Sequence, residues 1–270
     1  MQSFHVPRVF LLNPCANAVQ ALASAEYLMA PLSPCPPSQA IQSTAICLLV
    51  LMTFLHCYST TLTSKLNTVI TAIKLLTLLA ITITSLISAA NSPPSLPPAF
   101  QGTSSSLSSY VSAIYGGYWS YAGWQGIPAA IEDIKDPRRT MPKAIIFGLV
   151  IVTFTYLLVN MAFLLVLSVE EIKTSSLLIS SFSSQVAGSS LAAPFSLLVF
   201  LSLFGSFLGS GFINGRFCFA ASRENHLPKF LSLLLQQSNT PVTAQIMNAL
   251  IAFLMLCATS RLVSWYQYYL

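Results

Sequence analysis

The chain has 270 residues, 54% of them hydrophobic and only 7% charged, with a mean hydropathy of +0.71. An ordinary soluble domain is about one-quarter charged, so composition excludes that class and points to an all-α polytopic membrane protein whose surroundings are a lipid bilayer. The net charge of +5 comes from cations dispersed at loop ends with no basic stripe, which gives no support to a nucleic-acid partner.

Residues 9–30 form a first apolar run, with Pro14 near its start and Glu26 near its end. The opening MQSFHVPRVFLLNP lacks the small-residue cleavage pattern of a signal peptide. A proline-rich connection over 31–40 leads to a second span at 41–58. A short polar connection closed by Lys65 precedes a third span at 67–89. NSPPSLPPAFQGTSSS (91–106) is expected to be an ordered loop outside the membrane. A segment at 108–133 is followed by a fifth span at 144–168 and a polar connection with Glu170, Glu171 and Lys173. The sixth run covers 192–221 and the seventh 241–258, while an eighth begins at Leu262 and is cut off at Leu270. About eight spans are therefore expected, in one incomplete transmembrane domain over 1–270.

Loop charge sets orientation. One set of alternate connections holds Lys65, Lys135, Arg138, Arg139, Lys143, Arg216, Arg223 and Lys229, eight cations; the other holds Lys173 and Arg261, two. Eight against two places the first set in the cytoplasm and Cys35 outside, in an oxidising compartment. Arg8 agrees with that assignment. Cys15, Cys47, Cys57, Cys218 and Cys257 lie in apolar runs, where a thiol behaves as a small hydrophobe. Cys35 sits in PLSPCPPSQ, a connection that cannot be helical; outside the cell, an intermolecular disulfide outranks an inert thiol.

The segment AIYGGYWSYAGWQGIPAAIEDIKDPRRTMP (113–142) is the focus of the chain. Gly116, Gly117 and Gly123 are weak points in an apolar helix, and a helix that opens in a bilayer must expose its backbone to protein or to a water-filled cavity. Trp119, Tyr121 and Trp124 would wall such a cavity. Glu132 and Asp133 follow, then a basic, proline-punctuated loop. A broken apolar helix with an aromatic middle and a charged exit is the expected form of a substrate-gating segment.

Lys74 lies inside the third span, where an ammonium is costly and is a functional candidate by default; snorkelling to the cytoplasmic interface is the alternative. In LFGSFLGSGFINGR, Gly205 and Gly209 are four apart and Ser206 and Ser210 repeat beside them. Close helix packing is the first expectation for this stripe, and a hydroxyl-lined substrate path the second. Glu26 and His226 are read as solvated. No metal spacing, phosphate-binding glycine loop or nucleophile elbow is present in the sequence, so neither an enzyme, a metal nor a cofactor is expected.

WSYAGWQ followed by IEDIKDPRRTMPKAI resembles the sixth span and following loop of amino acid–polyamine–organocation transporters, more narrowly the light subunits of heteromeric amino-acid transporters (the LAT-type branch). LFGSFLGS (203–210), SRENHLP (222–228), NTPVTAQ (239–245) and LNPCANAVQALASAEYLMAPLSPCPP add to the resemblance in order and spacing, over nearly the whole chain. It implies a five-plus-five inverted-repeat fold, with the third span to the start of the tenth represented here. It further implies an amino-acid substrate at the midplane. Trp119 would be the aromatic gate, Ser120, Tyr121, Ala122 and Gly123 would belong to the unwound site, and Trp124 and Gln125 would line the cavity. By the same resemblance Cys35 is disulfide-linked to a single-span glycoprotein heavy subunit. Lys74 stands near where sodium binds in sodium-coupled relatives, as a replacement for the ion. Ala122, in place of an acid found in some carriers of cationic amino acids, favours neutral substrates. Asn13 and Leu208 depart from the family pattern, and its first helix lies outside these residues. The implied function is a sodium-independent neutral amino-acid exchanger of the plasma membrane. The alternatives are a stand-alone carrier of cationic amino acids or polyamines, and a non-transporting subunit that only binds the heavy subunit.

Overall fold

The structure, a computed structural model, describes residues 8–33, 36–91, 103–104, 106–174, 178–187, 192–235 and 240–269. Among these, four helices are long and apolar enough to cross a membrane, and Val242–Ala258 is a shorter apolar helical stretch. The chain divides into two compact units, residues 1–75 with 192–270, and residues 76–191.

In the first unit, α1 (Asn13–Met29) follows a π-helical turn at Arg8–Leu12. Pro14 has no N–H to donate into the preceding turn, and that turn is wound more widely. α2 (Ser38–Tyr58) passes through Ser59 into α3 (Thr60–Asn91), whose first sixteen residues belong to this unit. The polar connection expected before Lys65 is thus almost wholly helical. Ser59 is extended and its Oγ accepts the Leu62 N–H at 3.3 Å, while the Thr63 hydroxyl lies 2.9 Å from the Ser59 carbonyl, so the local hydroxyls start the helix.

α8 (Ala192–Arg223) ends at Asn225, whose φ of 58° is left-handed; His226 N–H bonds Ala221 C=O and Asn225 N–H bonds Ser222 C=O. This is a Schellman ending with Asn in the position glycine usually takes. α9 (Val242–Tyr269) runs unbroken through residues 258–262, where the sequence suggested a boundary. Ala-Thr-Ser-Arg contains no glycine or proline to stop it. The core joins Ala18, Ala21 and Ala25 of α1, Leu48, Leu49 and Met52 of α2, Phe204, Phe207 and Leu208 of α8, and Ala252 and Leu256 of α9. Alanines three and four apart on α1 bring the other helices close.

The second unit holds the rest of α3, then α4 (Leu107–Ser120), a 3-10 segment (Trp124–Asp133), α5 (Pro137–Val166), α6 (Val169–Thr174) and α7 (Leu178–Ala187). α5 begins at Pro137, so Arg138, Arg139 and Lys143 occupy its first turns and not a loop. Asp136, at φ 46°, turns the chain, Pro137 supplies the fixed φ of a first helical residue, and the Arg139 and Thr140 N–H groups bond the Asp136 carbonyl. α6 opens on a capping box: Ser168 N–H and Oγ both donate to Glu171 Oε2 at 2.8 Å, and Glu171 N–H donates to Ser168 Oγ at 3.2 Å. The Ser168 N–H, then its hydroxyl, hold the Glu171 carboxyl below its usual range. α7, which polar patterning did not reveal, buries Phe182 edge-on against Phe163 of α5 at 5.5 Å. The expected loop at 91–106 falls mostly outside the described residues.

Candidate functional site

α4 runs straight through Gly116 and Gly117 and stops at Ser120. Tyr121, Ala122 and Gly123 form a turn, and the 3-10 segment then begins at Trp124. The opening is therefore one of the three expected weak points, at Gly123, which has φ 122° and ψ −40°. Tyr121 N–H bonds the Tyr118 carbonyl at 3.2 Å and Gly126 N–H bonds the Gly123 carbonyl at 2.9 Å, so the backbone tightens on both sides of the turn.

Two residues of α5 hold this turn. The Tyr156 hydroxyl donates to the Ser120 carbonyl at 3.0 Å, and the Tyr121 hydroxyl donates to Thr153 Oγ1 at 3.1 Å. The two tyrosine rings meet edge to face with centroids 5.6 Å apart. Ser120 Oγ turns back to the Gly116 carbonyl at 3.2 Å. Ala122 and Gly123 are exposed, and Trp124 is about half exposed. Trp119 lies in the last turn of α4 and Gln125 in the 3-10 segment. The interruption thus faces the C-terminal end of one helix, with its partial negative charge, towards the N-terminal end of the next, with its partial positive charge.

The other candidates lie in the first unit, on α8. Lys74 Nζ donates to Ser206 Oγ at 2.6 Å. A Cβ on Gly205 would collide with Ile70, and one on Gly209 would press Asn67 Nδ2 at 3.3 Å, so this pair of glycines admits α3. Close packing, the first expectation for that stripe, is what the glycines serve. Ser206 and Ser210 follow different partners: Ser210 Oγ lies 2.7 Å from Gln20 Oε1 and 3.2 Å from Asn17 Oδ1, and Asn214 Nδ2 donates to Asn17 Oδ1 at 3.1 Å.

Sequence reading missed a second glycine pair in the same string. Gly211 receives Met52 and His56 of α2, and Gly215 receives Gln245 of α9. Gln245 Nε2 donates to the Gly211 carbonyl at 3.1 Å, and His56 Nε2 lies 3.0 Å from the Leu208 carbonyl. The four-residue spacing was the available signal. The buried amides Asn17, Asn214, Gln245 and Asn248 were also missed. Glu26 is exposed, and His226 is half-buried at the end of α8. Cys35 lies outside the described residues. The structure brings the residues from Trp119 to Gln125 together at one interruption, and it joins Lys74 to Ser206 in the other unit.

Long apolar helices, an apolar helix that gives way to a turn at Gly123, and polar side chains bonded between helices define a polytopic α-helical membrane protein. The chain belongs to the amino acid permease family, whose model matches residues 9–270. It is similar to the human cystine/glutamate transporter, at 32% identity over 253 residues, covering 92% of this chain and 50% of that protein. It is also similar to the mouse b(0,+)-type amino acid transporter 1 (30% over 250 residues; 91% and 51%) and to the mouse large neutral amino acids transporter small subunit 2 (30% over 256 residues; 92% and 48%). The chain spans about half the length of the curated relatives it matches.

Proposed function

We propose that the protein carrying these residues is a sodium-independent exchanger of neutral L-amino acids, the light subunit of a heteromeric transporter, working by alternating access at the plasma membrane. The observation that carries this reading is the interruption at Tyr121–Gly123 inside WSYAGWQ. An amino-acid zwitterion needs a negative edge for its ammonium and a positive one for its carboxylate, in a place without bulk water. Opposed helix ends supply both without a charged side chain. Trp119 at the end of α4 is proposed as the gate, with Ser120, Tyr121, Ala122, Gly123, Trp124 and Gln125 forming this half of the site. Ala122 adds no charge beside the substrate side chain, in keeping with neutral cargo. Lys74, bonded to Ser206, is proposed as a fixed cation in place of sodium, since like charge opposes binding of the ion. The chain around Lys65 and residues 135–143, and the end of α8 with the connection that follows it to Lys229, are cytoplasmic in this proposal, with Cys35 outside; Arg216, counted from the sequence as a loop cation, is instead buried within α8.

Uptake of labelled L-leucine by membranes containing the protein tests the reading. Uptake is expected to persist when choline replaces sodium and to rise when the far side is preloaded with unlabelled leucine. Trp119→Ala should lower it by on the order of tenfold or more, the range for loss of an aromatic anchor at a binding site. Strict dependence on sodium would overturn the role of Lys74, and full uptake by Trp119→Ala would overturn the gate.

A further inference from the structure

We propose that Tyr156, in the middle of α5, is a positioning residue that pins the carbonyl end of α4 in the geometry that receives the substrate ammonium. This rests on the transport reading above. When α4 stops at Ser120, its last carbonyls lose the N–H donors that a continuing helix would bring. Tyr156 brings one from a distant part of the chain: its hydroxyl has a single proton, and the Ser120 carbonyl lies 3.0 Å away. The neighbouring bond is just as definite. Thr153 gives its own proton to the Leu149 carbonyl at 2.8 Å, so at 3.1 Å it accepts from the Tyr121 hydroxyl. Residues three apart on a helix share a face, and Thr153 and Tyr156 together clasp Ser120 and Tyr121, the last helical residue and the first residue of the turn.

Only the side chains of α5 take part, so the clasp can let go without unwinding α5. It holds the carbonyl edge in place before substrate arrives. Unpinning lowers the fraction of molecules with a competent edge, and apparent affinity falls in proportion to that fraction. Once bound, the substrate itself holds the turn, so turnover is spared.

Tyr156→Phe keeps the ring against Tyr121 and removes only the hydroxyl. It is expected to raise KM for L-leucine about threefold to tenfold, the range for loss of one hydrogen bond, with kcat within about twofold. Hydrogen–deuterium exchange of residues 117–124 should speed up in the variant, while exchange in α8 stays at the wild-type rate. An unchanged KM overturns the proposal whatever the exchange rates. A raised KM without faster exchange also overturns it, because the hydroxyl would then act on substrate directly. If the wild-type protein carries no amino acid, the transport reading fails, and the exchange measurement alone decides whether the clasp exists.

Discussion

Gly123 holds a backbone conformation that L side chains rarely adopt, and a Cβ built on it meets nothing within 4 Å. Any cost of Gly123→Ala is therefore strain and not collision, about 1–3 kcal/mol for such a conformation. The variant can relieve that strain only by moving the turn, which in the proposed carrier means moving the site. Gly123→Ala is accordingly expected to reach the membrane at normal levels and to lose most of its L-leucine uptake. Gly116→Ala and Gly117→Ala, both helical with open space around them, should transport like wild type. Uptake and surface labelling measured side by side check all three. The sequence offered the three glycines as equal candidates, and no local property separates them. The difference is made by Thr153 and Tyr156, 32 and 36 residues from their partners, which hold the chain around one glycine and leave the other two within a regular helix.

α8 shows how far an element can be read from its spacing. The Gly205–Gly209 pair correctly announced a close helix neighbour, and α3 fills the place. The Gly211–Gly215 pair obeys the same rule on another face, yet its occupants are Met52, His56 and Gln245, polar or flexible side chains that no apolar pattern would nominate. Which face of α8 meets which helix is fixed by the crossing of several helices at once, and a linear sequence does not record it. The same gap hid the buried amides: an Asn or Gln in an apolar run reads as a cavity residue until its partner is found. A substitution separates the two kinds of glycine. A Cβ on Gly215 would enter the space of the Gln245 amide and disturb its bond to the Gly211 carbonyl, at about 1–3 kcal/mol for overpacking. Gly148 of α5 has nothing within 4 Å, so alanine there gains helix propensity, about 1 kcal/mol, against no collision. Gly215→Ala should lower the thermal midpoint of the detergent-solubilised protein, and Gly148→Ala should leave it equal or higher.

For the molecule as a whole, hydropathy already announced the fold class, because long uncharged runs can be stable only as helices in lipid. Element ends were less legible. Serines and threonines at 59–63 and the Asp-Pro pair at 136–137 start helices where charge and proline had suggested loops. Assembly is the remaining question at this scale, and it turns on one thiol. The described cysteines Cys15, Cys47, Cys57, Cys218 and Cys257 all lie within helices. Cys35 belongs to the proline-rich connection that the proposal above puts on the oxidising side. Co-expressed with a single-span glycoprotein heavy subunit, the protein is expected to run on a non-reducing gel as a band of the combined mass, and as two bands after reduction. Cys35→Ser should remove the combined band while both chains remain in the membrane, since a disulfide adds to an association that lipid-embedded helices already support. A combined band that survives Cys35→Ser would assign the link to another cysteine. Its absence from the wild-type protein would remove the covalent partner from the proposal and leave the carrier to stand on the interruption at Gly123.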